Sequence, residues 1–108
     1  MEFPQDETGF ILSEMHEAGI DLTKEHTIDF YLLFEKEAHA RSMEQALKAD
    51  DASAKVSVQE DPEVKNVWEL VIKVDMVPTH EALLEKETFL ESYADKHNGY
   101  GDGWGIAE

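Results

Sequence analysis

The sequence predicts one α+β domain, in which helices cover one face of a four-stranded antiparallel sheet. Hydrophobic side chains alternate with period two in four segments and recur every three or four residues in three others, which indicates four strands and three helices. At 108 residues and 42% hydrophobic content, the chain has enough apolar surface for one core and too little for two. Residues 1–108 are therefore expected to form a single domain, with a helical extension over 1–24 and a core over 25–108.

The three helices are predicted from their apolar spacing and their end signals. The first covers 6–18 and stops before Gly19, and the second covers 35–49. The third runs from the N-cap Thr79 to a stop signal at 98–99.

The four strands are predicted over 26–34, 54–59, 67–76 and 100–106. After the first helix, the order is strand, helix, strand, strand, helix, strand, which is the ferredoxin-like βαββαβ arrangement. A three-stranded meander with separate helices is the alternative. The two split βαβ halves favour the ferredoxin-like sheet, whose second face is not covered by its two helices.

This open face is predicted to carry both apolar side chains and carboxylates. Its apolar residues include Tyr31, Leu33 and Val71, which together are too apolar for unaided contact with water. We therefore expect the N-terminal helix, or a partner, to cover part of it.

A glycine-rich run forms the last predicted strand. Glycine occupies every second position from Gly99 to Gly105, so strict alternation predicts all glycines on one face. The opposite face would then carry Tyr100, Asp102, Trp104 and Ile106. Either a helix approaches the bare glycine face closely, or a shallow groove has Asp102 or Trp104 at its edge.

The charge excludes several classes of partner. The chain has 9 Lys+Arg against 25 Asp+Glu, a formal net charge of -16. Such a surface repels phosphate groups, so direct binding to nucleic acid or to anionic membranes is not expected. The N-terminus has no basic segment and no apolar run approaches the roughly 20 residues of a membrane span, which predicts a cytoplasmic protein.

The residues that usually carry catalysis or bind metal are sparse. There is no cysteine, the five histidines show no metal-binding spacing, and no G-x-S-x-G motif occurs. A carboxylate pair on the open face, Asp29 with Glu69 or Asp75, is a candidate for acid and base chemistry, and a groove beside the glycine-rich strand is a candidate small-molecule site. We expect no cofactor, no metal and no enzymatic activity.

Two segments resemble a known family. The run 101–105, Gly-Asp-Gly-Trp-Gly, closes the last strand, and 26–30, His-Thr-Ile-Asp-Phe, opens the first. Together with the order of the elements, they resemble the regulator of ribonuclease activity B family. The resemblance implies a small bacterial protein without catalytic residues, which binds endoribonuclease E through the nuclease's arginine-rich segment and inhibits RNA cleavage.

The candidate contact residues for such a partner are acidic or aromatic. Carboxylates engage lysine and arginine at long range, and aromatic faces stack on guanidinium groups. The candidates are Asp29, Glu69, Asp75, Asp102 and Trp104. The alternative, which depends on charge alone, is an acidic interaction module for a different basic protein with no role in ribonuclease control.

Overall fold

A computed structural model of the chain describes residues 5–50 and 55–106, and it contains the seven predicted elements in the predicted order. The predicted start of the second strand, Ala54, lies outside the described residues. The elements are α1 (Glu7–Glu17), β1 (His26–Phe34), α2 (Glu37–Asp50), β2 (Lys55–Glu60), β3 (Trp68–Met76), α3 (His80–Lys96) and β4 (Gly99–Ile106).

The four strands form one antiparallel sheet in the order β2-β3-β1-β4. β1 therefore lies between β3 and β4, and its central residue Phe30 is opposite Ile72 on one side and Trp104 on the other. With α2 and α3 packed on the strands, this is the predicted α+β, ferredoxin-like arrangement with an additional N-terminal helix.

The core lies between the sheet and the helices. Alternate side chains of β1 point toward the helices and are almost completely inaccessible. They contact a cluster that includes Met43 of α2 and Leu90 of α3. Members of this cluster from β1 are Ile28, Phe30, Leu32 and Phe34.

α1 lies beside α3, on the side of the sheet that carries the helices. Leu12 of α1 is buried in the same core cluster, and α1 packs against α3. The side chain of Asp6 caps α1 by accepting a hydrogen bond from the Gly9 N–H (2.7 Å), and its second oxygen lies 2.7 Å from Nε2 of His80 at the start of α3. Of the two alternatives for covering the open sheet face, the one that assigns this role to α1 is therefore wrong, because the apolar stripe of α1 packs against α3 and the core. The alternative of a partner stays a prediction.

An irregularity in β4 corrects the predicted alternation of its side chains. Gly101 is opposite Leu32 and Trp104 is opposite Phe30, so two residues of β4 face one residue of β1, which is a β-bulge. Gly103 lies in the bulge with a φ of +95°, a conformation that favours glycine.

The bulge reverses the side to which the following residues point. Tyr100, opposite Leu33, belongs to the open face, whereas Trp104 and Ile106 point toward the helices. The prediction that the four non-glycine side chains share one face is thus wrong, and so is the prediction that all the glycines share the other. Strict alternation requires an uninterrupted ladder, and the extra residue interrupts it.

None of the described helices is long and apolar enough to cross a membrane.

Replacing Gly99 with alanine is expected to destabilise the protein. A Cβ at this position would overlap the ring of Phe34, which is 0% exposed and belongs to the core cluster. Such overpacking costs about 1–3 kcal/mol in the free energy of unfolding, measured by urea titration.

Gly105→Ala is the matched control, since the nearest atoms to its Cβ would be those of Tyr31 at 3.9 Å, an ordinary contact. Equal stability of the two variants would contradict the close approach of β4 to Phe34.

Candidate functional site

The open sheet face is the surface of the sheet opposite the helices. Three of the five predicted contact residues, Asp29, Glu69 and Asp75, lie on it, and the cross-strand register brings their strands together. Its described residues are Thr27, Asp29, Tyr31 and Leu33 of β1, Lys55, Ser57 and Gln59 of β2, Glu69, Val71, Lys73 and Asp75 of β3, and Tyr100 and Gly105 of β4.

Asp29 occupies the centre of this face and is only 8% exposed. Lys73, directly opposite on β3, places its Nζ 2.9 Å from Oδ1 of Asp29. Burial, followed by the negative charges of Asp29 and Glu69, raises the pKa of Tyr31 on the same face. The negative charge of Asp29 is therefore paired with Lys73, and this ion pair links β1 to β3.

Glu69 and Asp75 are more accessible than Asp29. Gln59 on β2 donates a hydrogen bond of 3.5 Å to Glu69, and the hydroxyl of Thr27 donates one of 2.6 Å to Asp75. Since Lys55 lies opposite Lys73 on the same face, the described carboxylates here are nearly balanced by lysines. The open sheet face is consequently polar and partly apolar, but it is not strongly negative.

Asp102 and Trp104 are separated from these three residues by the bulge in β4. Asp102 is exposed, whereas Trp104 is 8% exposed and packs in the core on the helix side. Both line a cleft of about 300 Å³ between α1, α3 and β4. The groove expected beside these two residues is therefore present, and helices form its walls.

A second cleft, of about 270 Å³, continues the first along α3. The two share Glu7, Thr8, Glu87 and Glu91, so they form one trough, which we call the α1–α3 groove. Its lining residues are Asp6, Glu7, Thr8 and Ile11 of α1 and its N-cap, Leu84, Glu87, Thr88 and Glu91 of α3, and Gly101, Asp102, Gly103 and Trp104 of β4.

Carboxylates dominate the polar lining of the groove. Burial, followed by the negative charges of Glu91 and Glu7, raises the pKa of Glu87, and a hydrogen bond with the side chain of Thr8 opposes this effect. No lysine or arginine is among the lining residues, and His80 contacts only the Asp6 end. Within 5–50 and 55–106, no group of three or more acidic or histidine side chains is arranged to hold a metal ion.

The site residues predicted from the sequence do not include Glu7, Glu87 or Glu91. One local signal was available, because Glu87 and Glu91 are four residues apart on a predicted helix, a spacing at which like charges destabilise the helix. Glu7 lies near Glu87 and Glu91 only because α1 packs against α3. The spacing of residues in the sequence does not predict this packing.

Glu87→Gln is expected to raise the melting temperature at pH 7. Folding raises the pKa of Glu87 above its ordinary value of 4.5. Such a carboxyl group stabilises the native state most when the pH is below 4.5, and this stabilisation is lost as the pH rises through the raised pKa. At neutral pH the native state therefore carries a charged, half-buried side chain, and the neutral amide of the variant removes the cost of burying that charge.

The measurement is thermal unfolding of Glu87→Gln and wild type from pH 4 to pH 8, with Glu85→Gln, at an exposed position of α3, as the control. The stabilisation should shrink as the pH falls. A difference that does not change with pH would contradict this account.

Comparison with protein families identifies a match over nearly the whole chain. Residues 5–106, nearly the whole chain, match the model of the family described as Regulator of ribonuclease activity B. No curated protein was found that matches the sequence. The match covers all four strands and all three helices, including both surfaces described above. The chain therefore belongs to the regulator of ribonuclease activity B family, a regulatory rather than a catalytic family whose partner is a ribonuclease.

Proposed function

We propose that this protein is a non-enzymatic inhibitor that binds endoribonuclease E through its acidic surface and so modulates RNA degradation. The observation that carries the proposal is the family match over residues 5–106. The proposal places the protein in the cytoplasm, where bacterial transcripts are degraded.

The charge supports a basic protein segment as the point of contact. With a net charge of -16, the chain attracts clusters of arginine and lysine over distances of about one Debye length, roughly 10 Å at 0.1 M salt. Long-range attraction of this kind accelerates association and suppresses binding to acidic proteins. The arginine-rich segment of the nuclease is the proposed partner.

The proposed contact residues differ in what they offer such a segment. Glu69, Asp75 and Asp102 present accessible carboxylates, whereas Asp29 is already paired with Lys73 and Trp104 is largely buried. Tyr100 is 52% exposed, which makes its ring available for stacking with guanidinium groups on the open sheet face. The arrangement supports recognition by charge and stacking, without a chemical step.

Binding to endoribonuclease E should be sensitive to salt. The purified protein is expected to co-purify with the nuclease and to slow its cleavage of a model RNA at low ionic strength, with both effects weakening at high ionic strength because the charges are screened. The measurements are affinity capture and a cleavage assay over a series of salt concentrations.

The control is a nuclease that lacks its arginine-rich segment. Its cleavage rate should be the same with and without the protein. Absence of capture at low salt, together with an unchanged cleavage rate for the full nuclease, would refute the proposal. Equal capture of an unrelated arginine-rich protein, without any effect on cleavage, would instead identify a general acidic interaction module.

A further inference from the structure

We infer that the α1–α3 groove is the docking site for an extended protein segment with basic side chains at alternate positions. The inference rests on the proposed function for the identity of the partner, but the geometry that supports it is that of the groove alone.

Charge compensation distinguishes the groove from two other acidic surfaces, α2 and the open sheet face. On α2, Arg41 and Lys48 lie within 3.3–3.6 Å of Glu37 and Glu44. On the open sheet face, Lys73 pairs with Asp29.

The carboxylates that line the groove, Glu7, Glu87, Glu91 and Asp102, have no lysine or arginine among the lining residues. A ligand with two positive charges therefore complements the groove better than it complements α2 or the open sheet face.

The dimensions of the groove indicate an extended segment. Leu84 and Glu91 line it seven residues apart on α3, which corresponds to about 10 Å along the helix. Three residues of an extended chain cover the same length, at about 3.3 Å each. The trough is therefore long enough for a short stretch of backbone, with β4 at its end.

The spacing of the carboxylates sets the spacing of the basic side chains. Glu87 and Glu91 lie one helical turn apart, with their Cβ atoms separated by about 5–6 Å. In an extended chain, side chains at positions i and i+2 point the same way and are about 6.6 Å apart. An Arg-x-Arg or Lys-x-Lys segment thus matches the wall formed by α3, and Glu7 and Asp102 approach it from α1 and β4.

The lining also contains apolar surface for the stems of these side chains. Ile11, Leu84 and Trp104 belong to the groove, and the methylene groups of arginine and lysine pack on apolar surface while the charged ends contact carboxylates. Burial, followed by repulsion from Glu91 and Glu7, raises the pKa of Glu87. A bound cation would offset the repulsion, and a ligand that binds only the native state stabilises it.

The test compares two double variants that remove the same charge from different surfaces. Glu91→Gln with Asp102→Asn alters the groove, and Glu60→Gln with Glu63→Gln is the matched control at exposed positions at the end of β2 and just after it, away from the groove. The probes are a fluorescent peptide with arginine at alternate positions and a peptide of the same composition with its arginines adjacent, titrated by fluorescence anisotropy at low salt. Thermal unfolding verifies that both variants are folded.

The groove variant should lose about tenfold or more in affinity for the alternating peptide, since each charge-assisted hydrogen bond contributes about that factor, while the control stays within about threefold of wild type. The alternating peptide should also bind more tightly than the adjacent one. Equal losses in the two variants, a loss in the control alone, or no preference between the peptides would each overturn the inference.

The nuclease assay separates this inference from the proposed function. Groove-dependent peptide binding without any effect on the nuclease would leave the docking site standing and refute the function. If the groove variant inhibits the nuclease as strongly as wild type does, the proposed function stands and the docking site is refuted.

Discussion

The structure depends on β1, because this strand is hydrogen-bonded on both sides and has apolar side chains on both faces. Its helix-facing residues, from Ile28 to Phe34, form the centre of the core and are contacted by α2 and α3. A period of two then obliges Asp29, Tyr31 and Leu33 to lie on the opposite face. The burial of one face thus fixes which β1 side chains lie on the open sheet face, where Tyr31 and Leu33 lie beside Asp29.

The second constraint is the bulge in β4, which joins the sheet to the candidate site. One extra residue allows Trp104 to enter the core while Tyr100 stays on the open sheet face. The same irregularity leaves Asp102 exposed at the end of the groove and places Gly103 in a conformation that suits glycine. Bulges commonly redirect side chains near binding sites, and this one divides the predicted contact residues between two surfaces.

The negative charge is distributed in a way that a total of -16 does not convey. Where carboxylates lie beside lysine or arginine, as on α2 and in the pair of Asp29 with Lys73, they contribute little attraction toward a partner. In the α1–α3 groove the carboxylates of α1, α3 and β4 meet without such compensation, and folding raises the pKa of Glu87 there. A surface that costs stability in the free protein and is complementary to a cation is typical of a binding site rather than of a structural one.

The sequence by itself determined the seven elements, the ferredoxin-like order and the family, because these depend on local periodicity and on short motifs such as 101–105. It also placed Asp29, Glu69 and Asp75 on one face, since alternation within a regular strand is a local property. Only the tertiary structure decided that α1 packs against α3, that the bulge separates Trp104 from Tyr100, and that Glu7 meets Glu87. These outcomes depend on which apolar surfaces find each other and on where a ladder gains one residue, and such contacts between distant segments leave no period in the sequence.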